Sequence, residues 1–97
     1  MYGTVARFKI KPGTFDALMK IADVQASASM NGYVGQYVYR MDDDPDMFYL
    51  AVLFKDKQSY VANADSPEQN ERFQEMAQYF VGEPEWHDGE VVFSHMA

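Results

Sequence analysis

Residues 47–54 read Met-Phe-Tyr-Leu-Ala-Val-Leu-Phe, a run that is apolar at nearly every position. A short apolar run rich in aromatic and branched side chains is typical of a β-strand, which we place over 46–54. Because successive side chains of a strand point to opposite faces, such a run needs cover on both faces of its sheet. The rest of the chain can cover one face of the sheet with a layer of helices. The other face must be covered by something other than that layer.

The flanking sequence alternates between strand and helix patterns. Thr14, Asp56 and Ser66 are expected helix N-caps, since a side-chain oxygen there can accept a backbone N–H of the first turn. Ser66 is followed by Pro67 and, two residues later, by Gln69, which adds two further helix start signals. The full set of predicted elements comprises strands over 2–11, 33–41, 46–54 and 85–95, a helix from Thr14 to the Asn31-Gly32 stop, and helices over 55–64 and 66–81.

The order β-α-β-β-α-β with short connections leaves few possible topologies, because crossovers between parallel strands are right-handed. It predicts a single α+β domain over 1–97, ferredoxin-like, with a four-stranded antiparallel sheet and its helices on one face. The other sheet face then exposes apolar side chains from several strands. A patch of that kind marks an interface, so we expect a homodimer formed through the open sheet face.

Composition excludes several classes of function. The net charge is −7 with eight Lys and Arg residues, which disfavours nucleic acid and anionic membrane surfaces as partners. The absence of cysteine excludes disulfides and thiolate metal sites and suits a cytoplasmic protein. His87 and His95 are about 26 Å apart on the predicted last strand and cannot share a metal. The amino-terminal residues lack a signal-peptide core, and no run approaches a transmembrane helix.

Several segments together resemble a known family. They are Val-Ala-Arg-Phe-Lys-Ile-Lys-Pro-Gly at 5–13, Asn-Gly-Tyr-Val-Gly at 31–35, the apolar third strand, Ser-Pro-Glu-Gln at 66–69 and Glu-Trp-His-Asp-Gly-Glu-Val at 85–91. With these, nearly the whole chain is similar to the antibiotic biosynthesis monooxygenase domain family, whose members form dimeric α+β barrels. The resemblance implies a cavity between sheet and helices that holds a small aromatic or quinol-like compound. It also implies that no metal or organic cofactor is used, because the ionised substrate itself donates electrons to oxygen.

The resemblance also suggests site residues. Asn63 matches an Asn that faces the substrate in the polyketide oxygenases of the family, whereas Tyr60 stands where those enzymes have a Trp. We predict Tyr49 and Asn63 as catalytic residues. Substrate-binding residues are predicted at Tyr37, Tyr60, Phe73 and Arg72, and no metal ligand is predicted.

Other interpretations remain open at this level. The tyrosines of the second and third strands could serve only cross-strand packing, Asn63 could be an ordinary helix-end residue, and Arg72 could pair with Glu68 one turn earlier. The chain could be a non-catalytic homodimer that binds a small apolar ligand, or catalyse an isomerisation or decarboxylation. Haem degradation is disfavoured, because residues 55–82 contain no His.

Overall fold

A computed structural model describes residues 1–28 and 30–97. Its elements follow the predicted order, with the second helical stretch divided in two. They are β1 (Tyr2–Lys9), α1 (Phe15–Ala26), β2 (Tyr33–Arg40), β3 (Met47–Phe54), α2 (Lys57–Ala64), α3 (Pro67–Ala77) and β4 (Glu85–Glu90). The strands form one antiparallel sheet in the order β2-β3-β1-β4. The predicted α+β, ferredoxin-like fold is therefore confirmed.

The sheet presents two different faces. Thr4, Ala6 and Phe8 of β1 are buried, whereas the alternate residues Val5 and Arg7 are exposed. In the β1–β3 register Phe8 lies opposite Phe48. Both belong to a core cluster with Ile10, which directly follows β1, and Leu18 of α1. The helices thus cover the face that contains Phe8 and Phe48. The opposite face, which contains Val5, is not covered by any of the described helices.

Helix starts follow the sequence closely at two of three sites. The Asp56 carboxylate accepts the backbone N–H of Ser59 at 2.8 Å, and the Ser66 hydroxyl accepts that of Gln69 at 3.1 Å. Both predicted N-caps are confirmed. Thr14 stands at the N-cap position of α1, but its hydroxyl donates to the Lys11 carbonyl at 2.6 Å instead of capping the helix. The predicted capping role of the Thr14 side chain is therefore wrong.

Three predicted elements extend at least four residues beyond the observed ends. Helix α1 ends at Ala26 rather than near Asn31, and its predicted course includes Ser29, which lies outside the described residues. Helix α3 ends at Ala77 because the next residues pair with the end of β1: the Val81 N–H donates to the Lys9 carbonyl at 2.8 Å. Strand β4 ends at Glu90, so His95 does not lie on it, and the expected placement of both histidines on the last strand is wrong.

The turn between α1 and β2 packs closely against the start of α2. Gly32 has a φ of 80°, in the left-handed region that glycine adopts without strain. A Cβ at this position would lie 2.5 Å from the Ser59 side chain, which is buried at the start of α2. The Gly32 carbonyl also accepts the Lys55 N–H at 2.8 Å. This packing fixes α2 against the entrance of β2 and so positions the side chains that α2 directs toward the sheet.

Candidate functional site

A cavity of about 530 Å³ lies between the helix-covered face of the sheet and helices α1, α2 and α3. Ligand sites for small molecules in proteins span roughly 300–1,000 Å³. The floor is formed by side chains of β1 and β3, including Phe8, Leu50 and Phe54. The apolar and aromatic residues lining it are Phe8, Leu18, Met19, Ala22, Ala26, Met30, Tyr33, Val38, Leu50, Val52, Phe54, Tyr60, Ala64, Phe73, Met76, Phe80, Pro84 and Trp86. The size and the wall both suit a small aromatic ring.

The first polar group in the cavity wall is formed by α2 and α3. We call Asn63, Gln69 and Arg72 the amide–guanidinium cluster. The Asn63 Nδ2 donates to Gln69 Oε1 at 3.2 Å, and the Arg72 Nη1 donates to the same oxygen at 3.3 Å and to Asn63 Oδ1 at 3.5 Å. All three side chains are half-buried and line the cavity. The cluster presents one positive charge and several N–H donors at this side of the cavity.

The amide–guanidinium cluster decides between two interpretations of the sequence. Arg72 lies one helical turn after Glu68, but its guanidinium turns to Asn63 and Gln69, and no Glu68–Arg72 ion pair occurs among the described residues. Its backbone is also tied to α1, because the Gln25 Nε2 donates to the Arg72 carbonyl at 3.1 Å. The helices that close the cavity are thus joined at the position where Arg72 enters it.

The second polar group joins α2 to strands β1 and β4. The Tyr60 hydroxyl donates to Asp88 Oδ1 at 2.8 Å, and Asp88 lies opposite Thr4 in the β1–β4 register. Burial, followed by the hydrogen bond to the Asp88 carboxylate, raises the pKa of Tyr60 to about 12, and the neighbouring Thr4 hydroxyl offsets part of this rise. Burial also raises the pKa of Tyr33. Both cavity tyrosines therefore stay protonated at neutral pH.

Thr4 is the buried member of this second group. It is 6% exposed, and among the described residues its Oγ1 has no hydrogen-bond partner of good geometry. The Tyr60 ring beside it is fixed by ring contacts, with centroids 5.3 Å from Tyr2 and 5.7 Å from Phe54. The phenol of Tyr60 therefore has one position, between Thr4 and Asp88.

Four of the six predicted site residues meet in the cavity. Asn63, Tyr60, Phe73 and Arg72 all line it, with Asn63 one helical turn after Tyr60 on the same side of α2. The Phe73 ring packs against Trp86, with centroids 6.1 Å apart. The structure thus brings together the residues that were selected on the helices.

The two predicted site residues on strands lie elsewhere. Tyr49 pairs with Arg7 and Tyr37 pairs with Ala51, so both side chains lie on the open sheet face, away from the helices. The expectation that Tyr37 and Tyr49 line the cavity is wrong, because the alternation of β3 assigns the buried side to Phe48, Leu50 and Phe54 instead. Neither side chain can contact a ligand held in this cavity.

A β-bulge separates Tyr33 from the other tyrosines of β2. The register shifts between Tyr33, which pairs with Phe54, and Gly35, which pairs with Leu53. The extra residue reverses the alternation, so Tyr33 enters the cavity while Tyr37 and Tyr39 lie on the open face. Simple alternation along β2 predicts that Tyr33, Tyr37 and Tyr39 share one face, and the bulge makes this expectation wrong.

Several polar residues of the cavity were not predicted from the sequence. Thr4 is a polar side chain within the otherwise apolar row of β1, and this anomaly could have identified it. Gln36 is similarly placed on β2. Asp88 gives no such signal, because its position depends on which strand β4 joins and in what register.

The sequence itself identifies the family. The model of the antibiotic biosynthesis monooxygenase family matches residues 1–76. Because this match covers more than half of the chain, the chain belongs to the antibiotic biosynthesis monooxygenase family. No curated protein matches the sequence significantly.

Solved structures share the fold. A protein of Chloroflexus aurantiacus assigned to the same family has a TM-score of 0.77 at 24% identity, over 98% of this chain and 96% of that one. A protein of Nitrosomonas europaea, also assigned to it, has a TM-score of 0.78 at 16% identity, over 96% and 100%. SnoaB, a cofactor-independent oxygenase from Streptomyces nogalater, has a TM-score of 0.80 at 13% identity, over 96% and 94%. At these identities the likeness concerns the fold.

Two surveys of the described residues complete the description of the site. Within residues 1–28 and 30–97 no group of three or more His, Cys, Asp or Glu side chains is arranged to hold a metal ion. In the same part of the chain, no helix has the length and apolar character needed to cross a membrane.

Proposed function

We propose that this chain is a monooxygenase that oxidises a small phenolic or quinol-like compound with O2 in the cavity, without a bound metal or organic cofactor. The observation that supports this function most is the pairing of an aromatic-lined cavity with the amide–guanidinium cluster in its wall. The apolar wall suits the ring, and the donors suit negative charge. Membership of the family and the fold shared with a cofactor-independent oxygenase agree with this function.

The proposed reaction uses the substrate as its own reductant. A phenolate transfers one electron to O2, and the two radicals combine through a new bond between oxygen and the ring carbon opposite the hydroxyl. Loss of water from the resulting hydroperoxide leaves a quinone, so a phenol and O2 give a quinone and one water. The Arg72 guanidinium and the Asn63 amide stabilise the negative charge as it passes from ring to oxygen.

We also propose that the protein acts as a homodimer formed through the open sheet face. Val5, Tyr37 and Tyr39 on this face are 50%, 54% and 56% exposed, and the open-face residues of β3 between them are also only half-buried. Exposed apolar surface of this kind marks an interface, and a second copy of the same face is self-complementary under two-fold symmetry. Dimerisation through this face would leave the cavity on the far side of the sheet.

Oxygen uptake by metal-free protein tests the activity. We expect the wild type to consume O2 with 1-naphthol or a dihydroxynaphthalene. Asn63→Ala should lower kcat about 100-fold, the loss typical for one donor to a developing negative charge. Tyr39→Phe is the matched control, because it removes a hydroxyl from the open face and should leave kcat unchanged.

The same experiment separates the second function, a binding protein without turnover. Trp86 lines the cavity, so its fluorescence reports binding independently of reaction. Saturable quenching with no oxygen uptake across the naphthols would reject the enzyme and favour the ligand-binding homodimer. Absence of both signals would reject the cavity as the functional site.

A further inference from the structure

The cavity has a candidate proton acceptor that neither the family nor the sequence pattern indicated. We infer that Asp88 is the catalytic base that removes the proton from the phenolic hydroxyl of the substrate, and that Tyr60 is the residue that positions its carboxylate. This inference rests on the proposed function, because it names the group that generates the phenolate on which that reaction depends.

Elimination among the lining side chains supports Asp88. The titratable groups among the described residues that line the cavity are Tyr33, Tyr60, Arg72 and Asp88. An arginine guanidinium has no acceptor and does not lose its proton in proteins. The two phenols hold their protons because burial raises the pKa of each. Asp88 supplies the one carboxylate among the described lining residues, and of these four groups the carboxylate is the one that can accept a proton from the substrate.

The geometry leaves one carboxylate oxygen for the substrate. Tyr60 donates to Oδ1, and within the described residues Oδ2 accepts no hydrogen bond. The Tyr60 ring packs between Tyr2 and Phe54, and its hydroxyl orients the carboxylate of Asp88, an exposed residue on the edge strand β4. A base must lie within hydrogen-bond reach of the proton it removes, and this arrangement directs a phenolic ligand's hydroxyl to the Asp88 end of the cavity.

The transfer can be written as a balanced step. The substrate O–H bond breaks, a new O–H bond forms at Asp88 Oδ2, and the electron pair stays on the substrate oxygen. Conjugation spreads this pair to the ring carbon opposite the oxygen. Asp88 and the amide–guanidinium cluster line the same cavity. A ring whose hydroxyl meets Asp88 can direct its opposite carbon toward the cluster, where the charge is stabilised.

Asp88→Asn tests the base directly. The amide oxygen can still accept the Tyr60 hydrogen bond, but the side chain no longer takes up a proton. With 1-naphthol near neutral pH, we expect kcat/KM to fall at least 100-fold, within the 10²–10⁴-fold range for general base catalysis. Glu90→Gln is the matched control: it neutralises an acid on the same strand that does not line the cavity, and should leave kcat/KM unchanged.

A pH profile distinguishes a base from a structural role. Without Asp88 the reaction must draw on naphtholate that is already ionised in solution. The kcat/KM of the variant should therefore rise about tenfold per pH unit at pH values below the pKa of the naphthol. It should approach the wild-type value as the pH reaches that pKa. The groups near Asp88 are Tyr60 of α2 and Tyr2 of β1, with Lys57 beside Tyr2 and Glu90 on the same strand. Each is present in both proteins, so the comparison isolates Asp88.

The outcomes separate this inference from the proposed function. A wild type that consumes oxygen and an Asp88→Asn protein that equals it would overturn the base assignment alone. An equal loss at every pH, with weaker Trp86 quenching by 1-naphthol, would also overturn it, because it would show a structural role. A wild type that binds naphthols without consuming oxygen would reject the proposed reaction and the base with it.

Discussion

Tyr37 on the open sheet face gives the sharpest test of dimerisation. Its side chain is 54% exposed in the single chain and lies beside Tyr39, with ring centroids 6.5 Å apart. It is on the edge strand β2, opposite Ala51, where substitution disturbs the core little. Tyr37→Asp therefore changes the proposed interface while sparing the fold.

The expected size of the effect follows from the area that remains to be buried. A tyrosine buries roughly 200 Å² in full, so about half of that, ~100 Å², is available to a partner. At about 25 cal/mol per Å² this is worth ~2.5 kcal/mol per copy, or about 5 kcal/mol for the two copies of a symmetric dimer. Each 1.4 kcal/mol is a factor of ten, so Kd for the dimer should rise more than 1,000-fold.

Light scattering coupled to size exclusion measures the change. We expect wild type at tens of micromolar to elute as a dimer of twice 11.1 kDa, and Tyr37→Asp to elute as a monomer with an unchanged circular dichroism spectrum. Val24→Asp is the matched control: it places the same charge on an apolar residue that is 72% exposed on α1. A monomeric wild type, or a Tyr37→Asp protein that remains dimeric, would refute the assignment of this face.

Three further predictions concern stability. Phe48→Ala should lower the free energy of unfolding by about 3–5 kcal/mol in urea titrations, because Phe48 is 1% exposed and stacks on Phe8 and Phe15; a loss below 1 kcal/mol would contradict its place in the core. Ser66→Ala should cost about 1 kcal/mol through the lost cap of α3, with Ser94→Ala in the exposed tail as control. Wild type should lose stability between pH 10 and 12, because the unfolded chain gives up the Tyr60 proton there and the folded chain keeps it. Tyr60→Phe should reduce that loss by about 1–2 kcal/mol. An equal dependence of the unfolding free energy on pH in the two proteins would contradict the raised pKa of Tyr60.

The fold could be predicted because its determinants are local and repeated. The apolar run of β3 required cover on both sides, and the alternation of β1 marked Phe8 for the core. Start signals at Asp56 and Ser66 located α2 and α3, since a cap depends on residues only a few positions apart. Helix ends were less predictable, because α3 ends where its successor residues pair with β1, a contact between segments far apart in the sequence.

The helical half of the site could also be predicted, whereas the strand half could not. Asn63 follows from the resemblance to the family, and Phe73 follows from the apolar face of its helix, since a helical face is fixed by local periodicity. The side on which a tyrosine of β2 lies depends on register, and a single bulge after Tyr33 reverses it. The role of Asp88 depends on the pairing of β4 with β1, which places Asp88 opposite Thr4 and within hydrogen-bond distance of Tyr60.

The proposed function requires that the protein uses O2 to oxidise a phenolic ring in its cavity. Incubation of metal-free protein with 1-naphthol under ¹⁸O2, followed by mass spectrometry of the product, measures this directly. We predict a naphthoquinone that contains one labelled oxygen atom, formed at a rate that falls in Asn63→Ala and is unchanged in Tyr39→Phe. Recovery of unchanged naphthol, or of a quinone without the label, would contradict the proposed function.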